Sequence, residues 1–117
     1  MPDRLDDITA RLRAFVAERD WAQFHDPKNL AMAVASEAGE LLAEYRWITN
    51  IAADGWSSEP DNKQRVAMEA ADVGIALLLL CDRVGVDLVE AMSEKIALNA
   101  VNYPVNLSKG RHSRPDS

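Results

Sequence analysis

The chain is poor in several things at once, and each shortage removes a class of protein. It has a single cysteine, Cys81, among 117 residues, so neither a disulfide framework nor a cysteine-based zinc site is available. Cys81 ends the apolar run Ile75–Leu80 and reads as a small buried hydrophobe. Aromatics make up only 6% of the residues, and glycine and proline number 5 each, which disfavours a sheet protein with many tight turns. Positive charge is also short. A net charge of −6 argues against nucleic acid or an anionic membrane as partner, because both are held by Lys/Arg clusters. No apolar run approaches the ~18 residues of a membrane span. The segment Met1-Pro2-Asp3-Arg4-Leu5-Asp6-Asp7 carries acids and lacks an apolar core, so it does not read as a secretory signal, and a cytoplasmic protein is expected.

What remains is alanine, leucine and charge in helical order, and the expectation is an all-α chain. Leu5, Ile8, Leu12, Phe15 and Val16 recur at helical spacing and predict a first helix to about Arg19. Asp26-Pro27 is a strong helix start, with Asp as N-cap and Pro at the first position, and predicts a second helix to about Trp47. Ala33, Ala38 and Gly39 would let another helix approach it closely. Residues 48–61 turn to Thr, Asn, Asp, Gly, Ser and Pro and read as a long loop, in which Trp56 should pack against something. A third helix is expected from Asn62 to Arg83, apolar nearly all round in its second half, as suits a helix covered by a second subunit. Gly85 then acts as C-cap and Asp87 as N-cap of a fourth helix to about Asn102. Residues 1–107 are expected to form one domain, a four-helix protomer that builds its bundle by oligomerising. Residues 108–117, His112 among them, are expected to be a disordered tail.

Two stretches carry chemistry. Glu37-Ala38-Gly39-Glu40 and Glu69-Ala70-Ala71-Asp72 each place two carboxylates one turn apart on a helix. Both segments are otherwise apolar, so the shared face should be a core face, where uncompensated ionised carboxylates are disfavoured. A divalent cation would compensate them. Four hard oxygen donors with no nitrogen or sulfur suit Mg²⁺, with Mn²⁺ as an alternative, rather than zinc. The spacing also occurs on solvated helix faces. A di-iron carboxylate bundle would need Glu-x-x-His motifs, and neither pair contains histidine.

The four acids, Glu37-x-x-Glu40 and Glu69-x-x-Asp72 with residues 41–68 between them, resemble the signature of the MazG-like all-α nucleoside triphosphate pyrophosphohydrolases. Further stretches resemble the dCTP pyrophosphatase branch: Glu18-Arg19-Asp20-Trp21-x-x-Phe24-His25-x-Pro27-x-Asn29-Leu30, Trp47, Gly55-Trp56-Ser57 and Lys95-x-x-x-Asn99-x-x-x-Tyr103-Pro104. The similarity covers about Arg13 to Pro104. It implies Mg²⁺-dependent hydrolysis of a (deoxy)nucleoside triphosphate, first of all dCTP or a modified dCTP, to monophosphate and pyrophosphate by a homodimer or tetramer. On this resemblance Glu37, Glu40, Glu69 and Asp72 hold metal and act in catalysis, with one glutamate orienting the attacking water. Lys95 and Asn99 lie near the phosphates, and Trp21, His25, Asn29 and Trp47 line the base and sugar pocket. Each has a plainer reading beside it: Lys95 paired with Glu90 or Glu94, His25 organising a turn, the tryptophans in a core. Two departures bear on the base: Ala76 and Leu12 stand where close relatives carry tyrosine and histidine. The alternatives are the same reaction on dUTP or another non-standard nucleotide, or a non-catalytic helical oligomer that binds a nucleotide or a protein.

Overall fold

The computed structural model describes residues 3–112. Six α-helices and one short 3₁₀ turn follow each other, with no strand among the described residues: α1 Arg4–Glu18, the 3₁₀ turn Ala22–Phe24, α2 Pro27–Ala43, α3 Ala53–Ser58, α4 Pro60–Val84, α5 Leu88–Asn102 and α6 Val105–Ser108. The all-α class and the four long helices are as expected, except that α2 ends at Ala43 and residues 44–47 are turn, short of the expected Trp47. Their ends follow from local chemistry. The Asp3 carboxylate accepts from Leu5 N at 3.2 Å, Asp26 from Asn29 N at 2.9 Å and Asp87 from Glu90 N at 3.0 Å, each satisfying one orphan donor of a first turn. Pro27 and Pro60 occupy the opening turns of α2 and α4, where a missing N–H costs nothing. Gly85 closes α4 at φ 74°, a left-handed conformation that glycine adopts without a Cβ penalty.

The chain divides into two compact units, Met1–Gly85 and Val86–Ser117. In the first, α4 is the central element: it packs most extensively on α2, and also on α3 and α1. Arg13 of α1 ties to Asp82 of α4 through Nε, which donates to both carboxylate oxygens at 3.0 Å, a two-pronged charge-assisted contact. Val16, Leu30, Ala76 and Cys81 are the buried apolar residues. The second unit holds α5 and α6.

Three further expectations need correction. Residues 48–61 are not a continuous loop, because Ala53–Ser58 forms α3. Its stability is tertiary in origin: the Trp56 ring meets Tyr45 edge-on at 5.1 Å, Tyr45 Oη and Ser57 Oγ are 2.7 Å apart, and Asn62 Nδ2 donates to Trp56 O at 3.0 Å. Gly39 is not a helix contact within this chain, since a Cβ there would meet nothing within 4 Å. Helical structure also continues past Pro104 as α6, whose last residue is Ser108. Residues 113–117 of the expected tail lie outside the described residues. No helix among the described residues is long and apolar enough to cross a membrane.

Candidate functional site

The α2·α4 pair sets the acids against one another. Glu37, one turn before Glu40 on α2, faces Glu69 and Asp72 of α4, and one carboxylate oxygen of each of these three residues lies within 4.8 Å of the others. Glu40 lies outside that group and is exposed. Its charge nevertheless acts on Glu69. The shared face is less buried than the sequence implies: Glu37 and Glu69 are half-buried, Asp72 exposed.

Glu69 bears the electrostatic load of the cluster. Desolvation, followed by the charges of Asp72, Glu40, Glu44 and Glu37, raises its carboxyl above the usual carboxylate range. All five causes push the same way. A raised acid pKa means that the ionised form is disfavoured among these like charges, and three oxygen donors converging there form a donor set suited to a hard divalent ion such as Mg²⁺ or Mn²⁺. The residues present therefore fit such an ion.

A cleft of about 210 Å³ runs from these acids along α2 and α4, lined by Phe24, His25, Asn29, Glu37, Asp72 and Ala76 among others. Sequence-predicted His25 and Asn29 thus open on the same space as predicted Glu37 and Asp72. The Asn29 amide donates to Phe24 O at 3.1 Å, which fixes the side chain and leaves its carbonyl oxygen free to accept. Phe24, quoted in the resembling stretch without a role, is one wall of this cleft. Ala76 is buried in the wall of this cleft. His25 also borders a second cavity of about 200 Å³, lined by Arg13, Val16, Leu79 and Asp82 among others.

Trp21 and Trp47 are not among the residues lining this cleft. Trp21 packs edge-on against Phe15, with ring centroids 5.7 Å apart. Trp47 is 84% exposed, with the Arg46 guanidinium 5.5 Å from its ring centre. Lys95 and Asn99 stand one turn apart on α5, both exposed. They belong to the second unit and the four acids to the first. Two charged residues that the sequence reading left out, Glu44 and Arg65, pair beside the acids at 2.9 Å.

No protein-family model matches the chain. Over 106 residues it is 39% identical to dCTP pyrophosphatase 1 of Rattus norvegicus, a match that takes in 91% of this chain and 62% of the rat protein. Against dCTP pyrophosphatase 1 of Homo sapiens the identity is 39% over 107 residues, 90% of this chain and 62% of the human one. The chain thus spans less than two thirds of the length of these curated relatives. In three dimensions it is similar to a pyrophosphatase from Archaeoglobus fulgidus DSM 4304 whose crystal structure is known, with a TM-score of 0.80 and 33% identity, covering 89% of this chain and 95% of that one.

Proposed function

The chain belongs to the MazG-like all-α pyrophosphohydrolases, on the dCTP pyrophosphatase branch, and from that membership we propose that it hydrolyses a deoxynucleoside triphosphate, dCTP or a modified dCTP, to the monophosphate and pyrophosphate. The observation that carries the reading is the convergence of Glu37, Glu69 and Asp72 on a cleft that His25 and Asn29 also line. Glu37, Glu69 and Asp72 would hold Mg²⁺, with Glu40 completing the acidic set from the next turn of α2, and the ion would supply charge neutralisation at the phosphates and a more acidic water.

The chain's own groups do the rest. Asn29, its amide locked to Phe24 O, offers a fixed acceptor to a base or sugar donor. His25 and Phe24 flank it with flat surfaces against which a pyrimidine can lie. A carboxylate of the acidic set that is not engaged in coordination accepts a hydrogen bond from the attacking water and orients it. Lys95 and Asn99, on one face of α5, supply cationic and amide donors to the phosphates.

The protein acts as a dimer or tetramer of identical chains. Leu42, Trp47 and Ile51 are 70%, 84% and 98% exposed in the single chain, apolar surface that a partner chain could cover. A partner covering this surface would bring Trp47 into a defined environment and allow it to serve a base pocket.

Pyrophosphate release from a panel of nucleoside triphosphates, with and without Mg²⁺, tests the reading on wild type, Glu37→Ala and Asp72→Ala. The expected result is Mg²⁺-dependent release, highest with dCTP or a 5-substituted dCTP and lost in both variants. Release from no triphosphate would refute it.

A further inference from the structure

Glu44 is the C-cap residue of α2, one turn beyond Glu40, and Arg65 lies on α4 one turn before Glu69. The two therefore meet at one end of the acidic row. Arg65 Nη2 is 2.9 Å from Glu44 Oε2, and the Glu44 side chain is only 15% exposed. Glu44 Oε2 is itself buried and has no hydrogen-bond partner, so the contact is coulombic and Arg65 is the counter-charge of that oxygen. A carboxylate at a helix C-terminus is also disfavoured by the helix dipole, which strengthens its need for a cation.

Arg65 has a competing partner in its own helix. Glu69 follows it at i+4, a spacing at which opposite charges meet on a helix surface, though cation-first is the weaker order. An Arg65–Glu69 pair would neutralise a carboxylate of the acidic set and place a guanidinium where a divalent cation is to bind. In the structure the guanidinium is turned to Glu44 of α2 instead.

We propose that Glu44 sequesters Arg65 from Glu69, so that the Glu37, Glu69 and Asp72 carboxylates stay open to a divalent cation. Glu44 and Arg65 are positioning residues: neither is a ligand, and each acts through Glu69. The inference rests on the preceding reading only in taking the three acids as the cation site.

The test is Mn²⁺ affinity of the full chain, measured by electron paramagnetic resonance or calorimetry without nucleotide, so that turnover plays no part. Glu44→Gln frees Arg65 to turn to Glu69, and Mn²⁺ binding should weaken by about threefold or more. Arg65→Gln leaves the Glu44 charge beside the acids, and binding should tighten by a similar factor. Glu44→Gln/Arg65→Gln should return close to wild type. A merely structural tie between α2 and α4 would weaken binding in both single variants, and a solvated pair would shift neither; either pattern overturns the inference while leaving the metal site standing. Absence of Mn²⁺ binding by the wild type would refute the metal site itself, and this inference with it.

Discussion

Glu37 of α2 and Glu69 of α4, 32 residues apart in sequence, bring carboxylate oxygens to within 4.8 Å of each other and of Asp72. Like charges this close cost the apo fold stability and at the same time define where a cation belongs. The first prediction follows from that conflict. Glu69→Gln should raise the thermal midpoint of the metal-free protein, because it removes the most strained charge, and should lower the rate of pyrophosphate release by about 100-fold or more. Thermal melts beside a release assay check both halves; a variant less stable than wild type without metal would contradict the electrostatic account.

The pH dependence has a definite sign. The folded-state pKa of Glu69 is raised, so its protonated form favours the fold, and that contribution is lost as pH rises from the ordinary carboxylate range through the raised value. Mg²⁺ or Mn²⁺ binds the ionised form and offsets the loss. The metal-induced rise in melting temperature should therefore be larger at mildly alkaline than at mildly acid pH. The trend should flatten in Glu69→Gln.

Asp82 runs the opposite way. Hydrogen bonding to Arg13 holds its carboxyl below the ordinary range against the opposing desolvation, so the pair stabilises the fold at neutral pH and the contribution fades as pH falls through the depressed value. Arg13 is 63% exposed and Asp82 28%, so solvent screening keeps the effect small. Asp82→Asn should lower the midpoint by a few degrees at neutral pH. In strongly acid solution the difference should vanish.

Much of this arrangement is legible in the sequence because it rests on periodicity and caps. Asp26-Pro27, Gly85 and Asp87 set helix ends within a residue or so, and the two carboxylate pairs announce themselves by one-turn spacing in apolar surroundings. Register between helices is a different kind of information. That Glu37 rather than Glu40 joins Glu69 and Asp72, and that Arg65 reaches Glu44 rather than Glu69, depends on how α2 and α4 slide against each other, which neither helix encodes alone. The α3 helix was hidden for a related reason: its Gly- and Ser-rich sequence has little helical preference, and the contacts of Trp56 with Tyr45 and Asn62 come from outside it.

Ala76 tests whether the cleft receives the nucleotide. It is buried in the cleft wall beside Ile75 and Leu79, and a larger side chain there would take up space needed by the ligand. Ala76→Leu should raise KM for the preferred triphosphate by about tenfold with a smaller change in kcat. Steady-state kinetics on a variant verified by its melting curve decides the point; an unchanged KM would place the base elsewhere.

Trp56 within α3 and Trp47 before it should separate stability from binding. Trp56 is half-buried, stacked edge-on against Tyr45, with its carbonyl held by Asn62, so Trp56→Ala should cost about 2–4 kcal/mol and lower the melting temperature by many degrees. Trp47 is 84% exposed in the chain and gives up little packing within it, so Trp47→Ala should leave the unfolding of a single chain nearly unchanged while raising KM more than it lowers kcat. Chemical denaturation of both variants, followed by kinetics on the folded fraction, reads the two effects independently. A Trp47→Ala variant that loses kcat alone would move that ring from the binding surface toward the reacting phosphates.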